Sequence, residues 1–172
     1  MNDRPLFYCP KCGEKSLRQL NPKKFECEHC TFTIYKNAVA SVAAIIEYHG
    51  KIIMTRRGKD PGKGKLDLPG GFVDEDETLE EALRREVKEE IGLQIHDLSY
   101  LCSFPNRYPY KGIEYSTIDS IFICKTDSMH IVCEEEEVER CEVLDPRKLN
   151  LDDVAFTSIR NALGQYLRNN VR

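Results

Sequence analysis

Gly71-Phe72-Val73-Asp74-Glu75-Asp76-Glu77-Thr78-Leu79-Glu80-Glu81-Ala82-Leu83-Arg84-Arg85-Glu86-Val87-Lys88-Glu89-Glu90-Ile91-Gly92-Leu93 is the stretch from which the rest of the chain is read. At about 100° per residue, Leu79, Ala82, Leu83, Val87 and Ile91 gather on one arc of a helix. Glu86 and Glu90, one turn apart, project into the middle of that arc. Glu89 lies near its edge, and Glu81, Arg84 and Lys88 point the other way. Carboxylates on the inward half of a helix are costly to bury unless something neutralises them. A divalent cation that prefers hard oxygen ligands, Mg²⁺ or Mn²⁺, is the simplest neutraliser. The ordinary alternative, a solvated acidic face, would turn Leu83 and Val87 outward or leave the acids unpaired. Thr78 reads as the N-cap, with Asp74, Glu75 and Asp76 near the positive end of the dipole, and Gly92 as the stop.

Working upstream, Gly70 and Gly71 let the backbone turn sharply and approach a ligand. The loop Gly58 to Lys65 carries Lys59, Lys63 and Lys65, and a solvated loop or a phosphate contact both fit it. Ala38 to Ile46 is a nearly continuous apolar run, as expected of a strand buried on both faces. His49-Gly50 is a turn, and Lys51 to Arg57 reads as the hairpin partner. Downstream, Leu98 to Cys102 and Thr117 to Lys125 read as strands. Between them, Ser103 to Tyr110 reads as a proline-rich loop. Its Phe104, Arg107 and Tyr108 are candidates to stack on a base or bind pyrophosphate. The acidic run Glu134 to Glu139 precedes the strand Cys141 to Leu144. Leu151 to Leu167 reads as a final helix started by Asp152 or Asp153, with Phe156 either packed or at the ligand site.

At the other end of the chain, Cys9-Pro10-Lys11-Cys12 and Cys27-Glu28-His29-Cys30 form two Cys-x-x-Cys knuckles with 14 residues between them. Four thiolates at this spacing suit a tetrahedral structural Zn²⁺, and Leu17 to Leu20 with Phe25-Glu26 would supply a hairpin. A module this small needs the metal for stability. His29 reads as a bystander. The module is an appendage, a dimerisation element or a nucleic-acid binder. For the last, Lys11, Lys15, Arg18, Lys23 and Lys24 are interspersed with acids. The junction with the main domain falls at Lys36-Asn37, which divides the chain into residues 1–36 and 37–172.

The 172 residues suffice for one sizeable domain plus that appendage, and 41% apolar with 31% charged residues describes a soluble globular protein. A net charge of −4 argues against nonspecific nucleic-acid binding. No apolar run reaches membrane-spanning length, and Met1-Asn2-Asp3-Arg4-Pro5 leads into the first knuckle without a signal-peptide core. The expectation is a cytoplasmic protein whose eight cysteines are not disulfides.

Gly71, Glu77, Arg85-Glu86-Val87-Lys88-Glu89-Glu90 and Gly92-Leu93 resemble the Nudix box at every defined position. The resemblance implies an α/β/α sandwich with a mixed sheet. It also implies Mg²⁺- or Mn²⁺-dependent hydrolysis of a nucleoside diphosphate linked to another moiety. It assigns Glu86, Glu89 and Glu90 to metal and catalysis, and the Gly70 carbonyl to the metal shell. Arg85 and Glu77 become a pair that holds the loop against the helix. One further metal ligand comes from Glu134 to Glu139, with Glu137 the best aligned. A zinc ribbon ahead of such a domain resembles pyrophosphatases acting on NADH, FAD or ADP-ribose, in which dimers are common. Ser103, Pro105, Tyr108 and Pro109 loosely resemble a motif of the NADH enzymes, whereas Phe104, Asn106 and Arg107 depart from it. The rival readings are a nucleoside triphosphate or dinucleoside polyphosphate hydrolase, and a non-catalytic nucleotide- or nucleic-acid-binding zinc protein.

Overall fold

The computed structural model describes residues 6–134 and 136–170. Residues 1–5, Glu135 (one of the candidate acids) and residues 171–172 lie outside this description. The chain separates into two compact units, Met1–Ala38 and Val39–Arg172.

The first unit is a four-stranded antiparallel sheet in the order β1-β2-β3-β4: Leu6–Phe7, Leu17–Gln19, Lys24–Cys27 and Thr33–Tyr35. Its buried core is Cys9, Leu17 and Cys27, with Cys12, Phe25, Cys30 and Phe32 partly buried around them. Four of these seven side chains are the knuckle cysteines, so there is little apolar surface to hold the unit without them.

In the second unit β5 (Val39–Tyr48) turns through His49-Gly50 into β6 (Lys51–Arg57), with Tyr48 opposite Lys51. β7 (Leu66–Asp67) pairs with β6. Helix α1 (Leu79–Ile91) follows, capped by a Thr78/Glu81 capping box and closed by Gly92 at φ 71°. Then come β8 (His96–Tyr110), β9 (Ile113–Lys125), β10 (Val138–Leu144) and α2 (Thr157–Asn170). The main sheet runs β10-β6-β5-β9-β8, parallel between β5 and β9 and antiparallel elsewhere. Alternation along β5 divides the core in two. Val42, Ala44 and Ile46 face the α1 residues Ala82, Leu83, Val87 and Ile91. Ala43 and Ile45 face the α2 residues Ile159, Ala162, Leu163 and Tyr166. The result is a mixed sheet between two helices.

Two expectations are corrected. Ser103 to Tyr110 is not a loop but the second half of β8, paired with β9 through to Tyr110 opposite Ile113. Lys111 and Gly112, at φ 46° and 80°, make the two-residue hairpin turn. Pro105 and Pro109 are tolerated because β8 is an edge strand. The final helix also starts later. Leu151–Asp153 is one 3₁₀ turn, and Val154 then bridges Leu66 while the Ala155 amide donates to the Leu66 carbonyl at 2.8 Å. That pairing keeps the chain extended until Thr157.

Leu83 has no exposed surface and sits in the core beneath α1. Leu83→Ala is expected to lower unfolding free energy by roughly 2–5 kcal/mol, read as a shift in urea midpoint at unchanged slope.

Candidate active site and cysteine cluster

Arg85 organises the loop that precedes α1. Its Nε and Nη2 hold Glu77 as a fork at 2.7 and 2.9 Å. Nη1 reaches Glu86 at 2.9 Å and Glu89 at 3.1 Å, and Nη2 also donates to the Phe72 carbonyl at 3.0 Å. All five guanidinium donors therefore have acceptors. The fork from Arg85 keeps the Glu77 carboxyl below its ordinary range. Glu77 and Arg85 tie the loop to the helix and face neither ligand nor solvent freely.

The loop also runs beside β5. Val42 and Ala44 amides donate to the Gly71 and Pro69 carbonyls, each at 2.9 Å. Strand alternation then turns the intervening Gly70 carbonyl away from β5. The Gly70 amide donates to Glu90 Oε2 at 3.0 Å. Neither glycine can be replaced freely. A Cβ on Gly70, at φ +149°, would lie 2.1 Å from the Val42 carbonyl oxygen. One on Gly71 would lie 2.5 Å from the Glu86 carboxyl.

These elements open on a cavity of about 670 Å³ in the second unit. Eight acids line it (Asp67, Asp74, Glu86, Glu89, Glu90, Asp119, Glu134 and Glu137) against two cations, Arg57 and Lys59. Burial raises the Glu86 carboxyl, opposed by Arg85. Burial pushes Glu90 up to about 8, with repulsion from Asp67, Glu86 and Glu137 adding to it against the Gly70 hydrogen bond. Glu89 is the most open of the three, with 61% of its side chain exposed. Glu137 faces the cavity and pairs with Lys59. Its segment is anchored by the Glu134 amide donating to the Glu90 carbonyl at 2.8 Å. An excess of carboxylates in a partly desolvated cavity is a donor set that fits a hard divalent cation. Glu86, Glu90, Glu89, Glu137 and Gly70 line this cavity, but no three of these carboxylates bring their oxygens within 4.8 Å of one another, so holding an ion would require their side chains to draw together.

Aromatic rings also line the cavity. Phe72 and Tyr108 rings lie 5.5 Å apart edge to face, Tyr108 and Phe156 5.7 Å apart, and Arg57 stacks 4.9 Å from the Phe156 centroid. Of the three substrate-contact candidates, only Tyr108 lines the cavity. Arg107 is on the outward face of β8, bonded to Glu114 at 3.2 Å and Ser116 at 3.0 Å. Phe104 packs against the core under α2. A strand sends alternate side chains to opposite faces, so Arg107 and Tyr108 cannot share a site. Asn106 and Tyr110, in step with Tyr108, line the cavity instead. Sequence reasoning also missed Arg57, Asp67, Phe72 and Asp119. The two aspartates carry a signal, since each is a charge inside an apolar strand pattern.

In the first unit the four knuckle sulfurs all lie within 4.8 Å of one another, the one such group of three or more metal-ligating side chains among the described residues. Cys9–Cys30 and Cys12–Cys27 sulfur separations are 3.8 and 3.7 Å. A tetrahedron with Zn–S bonds of about 2.3 Å has edges of about 3.8 Å, so the thiols fit zinc. The Ser16 hydroxyl, with the His29 and Cys30 amides, brings the Cys27 thiol down to about 6. His29 is exposed and outside the cluster.

A family model for the NUDIX domain matches residues 36–162. The chain is 29% identical over 133 residues to an NAD-capped RNA hydrolase NudC of Haemophilus influenzae, covering 76% of this chain and 48% of that protein. It is 42% identical over 80 residues to an ADP-ribose pyrophosphatase of Methanocaldococcus jannaschii, covering 45% and 47%. The chain spans about half the length of the curated relatives it matches. A solved NUDIX hydrolase from Nitrosomonas europaea superposes with a TM-score of 0.77 at 22% identity, over 95% of this chain and 91% of that one. The NUDIX domain of Shewanella oneidensis NrtR complexed with ADP ribose gives 0.63 at 21% identity, over 78% and 89%. Both structural likenesses concern the fold.

The two glycines separate stability from chemistry. Gly70→Ala meets backbone and is expected to lower the melting temperature by several degrees. Gly71→Ala meets only the end of a flexible side chain, so it displaces the Glu86 carboxylate. It is expected to leave melting nearly unchanged while weakening Mn²⁺ binding, followed by calorimetry, about 10- to 100-fold.

Proposed function

The chain belongs to the Nudix family, and on that premise we propose that it hydrolyses the diphosphate linkage of a nucleoside diphosphate derivative such as ADP-ribose, NADH or FAD. The observation that carries this reading is the placement of Glu86 and Glu90. Their carboxylates are desolvated and line the same cavity as Phe72, Tyr108 and Phe156. The cavity thus combines groups that suit charge with rings that suit a flat base. The products are two monophosphate compounds.

Glu86, Glu90 and the Gly70 carbonyl would hold Mg²⁺ or Mn²⁺, supported by Glu89 and Glu137. The bound cation supplies charge neutralisation at the phosphate oxygens and acidifies the attacking water. Glu89 is our choice of general base, because its carboxylate is the most open of the three and Arg85 orients it. Arg85 and Glu77 position it without touching substrate. The nucleobase would pack against the exposed surfaces of the Tyr108–Phe156 pair, whose rings already touch one another. The names of the curated relatives support this class, since NAD and ADP-ribose both contain an adenosine diphosphate carrying a second group. One relative's name favours NAD-capped RNA as a second reading.

We assign a structural Zn²⁺ to Cys9, Cys12, Cys27 and Cys30 in a ribbon spanning residues 1–36, followed by the hydrolase domain at 37–172. Among the described residues no helix is long and apolar enough to cross a membrane.

The test is incubation with Mg²⁺ and a panel of ADP-ribose, NADH, FAD, NAD-capped RNA, dinucleoside polyphosphates and nucleoside triphosphates. Diphosphate-linked compounds are expected to give nucleoside monophosphate. Glu86→Gln or Glu90→Gln should lower kcat at least about 100-fold with the fold retained. Turnover of triphosphates alone would move the chain to the rival hydrolase class, and turnover of nothing would end the enzyme reading. Metal analysis of the purified protein should find one zinc per chain, lost on replacing the four cysteines with serine.

A further inference from the structure

A buried polar corner of the cavity is built around Asp119 on β9, which is 7% exposed. Its Oδ1 accepts from the Ser41 hydroxyl at 2.5 Å and from the Thr117 hydroxyl at 2.6 Å. Its Oδ2 accepts from the Ser158 hydroxyl at 2.5 Å. A carboxylate offers about four lone-pair sites, two on each oxygen. Oδ1 is full, and Oδ2 has one site left.

Charge sharpens this contrast. The neighbouring buried Asp67 has its own cation, Arg57 at 2.7 Å, and also accepts from the Leu68 amide at 2.9 Å. Among the described residues no lysine, arginine or histidine side chain is bonded to Asp119. The three hydroxyls around it have spent their protons on it. Asp119 itself therefore acts only as an acceptor, and a ligand group bonding to it must bring an N–H or O–H, while the Asn106 amide, opposite Thr117 on β8, lines the same cavity and can donate or accept beside it. The surrounding wall offers apolar surface for a base to pack against. It consists of Phe156, with Arg57 stacked on one side, Tyr108 and the apolar Ile159.

We propose that Asp119 is a specificity-determining residue that accepts a hydrogen bond from the exocyclic amino group of the substrate's base. The site then selects adenine-type bases over their oxo counterparts. This rests on the reading of the cavity as the site of a nucleotide diphosphate hydrolase, and it names which nucleotides that site takes. A buried acceptor left facing a carbonyl oxygen is penalised far more than a merely absent contact, so the preference is large.

The Asp119→Asn variant converts the corner. Two hydroxyl donors require the amide oxygen at the Oδ1 position, which places the amide nitrogen at Oδ2. Ser158 can rotate to accept one of its hydrogens, and the other points where the free lone pair was. The variant should therefore favour a base with a carbonyl.

The experiment compares hydrolysis of ADP-ribose, of its hypoxanthine analogue and of its 6-unsubstituted purine analogue. The wild-type protein should show kcat/KM at least about 10-fold higher for ADP-ribose than for either analogue. Asp119→Asn should lower the adenine-to-hypoxanthine ratio at least about 10-fold. Equal use of the three compounds by the wild type overturns the assignment, and so does an unchanged ratio in a folded variant. If Asp119→Asn does not fold, the wild-type comparison with the purine analogue decides alone. Calorimetric binding of AMP and IMP to the metal-free protein reads the same preference without turnover. A protein that hydrolyses nothing yet binds AMP more tightly than IMP would keep this assignment and lose the hydrolase reading. Equal binding with brisk hydrolysis would do the reverse.

Discussion

One guanidinium holds the charged half of the site together. Arg85 stands on α1, but its five donors reach forward to Phe72 and Glu77 and sideways to Glu86 and Glu89. Planar, bidentate pairing of this kind fixes direction as well as distance. The loop from Gly71 to Glu77 has no regular structure to hold it beyond its bridge to β5, so its course depends on this fork. With the loop in place, Gly70 reaches Glu90 and Gly71 leaves room for the Glu86 carboxyl. Arg85 thus offsets part of the repulsion among acids that would otherwise push each other out of the cavity.

The cavity's two halves come from different parts of the chain. The carboxylates proposed for metal project from α1 and from the segment before β10. The aromatic wall comes from the end of β8, from Phe72 and from the residue preceding α2. The sheet joins them, because β5 and β9 lie side by side in parallel and carry Ser41 and Asp119 into the same floor. The acids of α1 and the aromatic residues thus come from different elements that the sheet brings to one cavity.

What was legible in the sequence follows from the range over which each signal acts. The α1 arc, its Thr78 cap, its Gly92 stop and the β5–β6 hairpin are set by neighbours within a few residues, and the cysteine group is readable from the repeated Cys-x-x-Cys spacing; all stand where expected. The β8 extension was not legible, because Pro105 and Pro109 argue for a loop unless the strand is known to be an edge. Edge position is a property of the assembled sheet. The late start of α2 has the same origin, since Leu66, far away in sequence, holds Val154 and Ala155 extended. Placing Arg107 beside Tyr108 at one site failed as soon as the segment became a strand. Asp119 was visible as an odd charge in a strand, but its three hydroxyl partners come from β5, β9 and α2 and meet only in the fold.

The hairpin of β8 and β9 has a bearing on how such a protein changes over generations. Asn106, Tyr108 and Tyr110 look into the cavity, while Pro105, Arg107 and Pro109 look out. Inherited changes at the even-numbered positions can retune what the pocket admits without disturbing the odd-numbered face, and neither set touches the carboxylates on α1. Replacements on this one ribbon can thus reshape the cavity's walls while α1 keeps its own place in the fold.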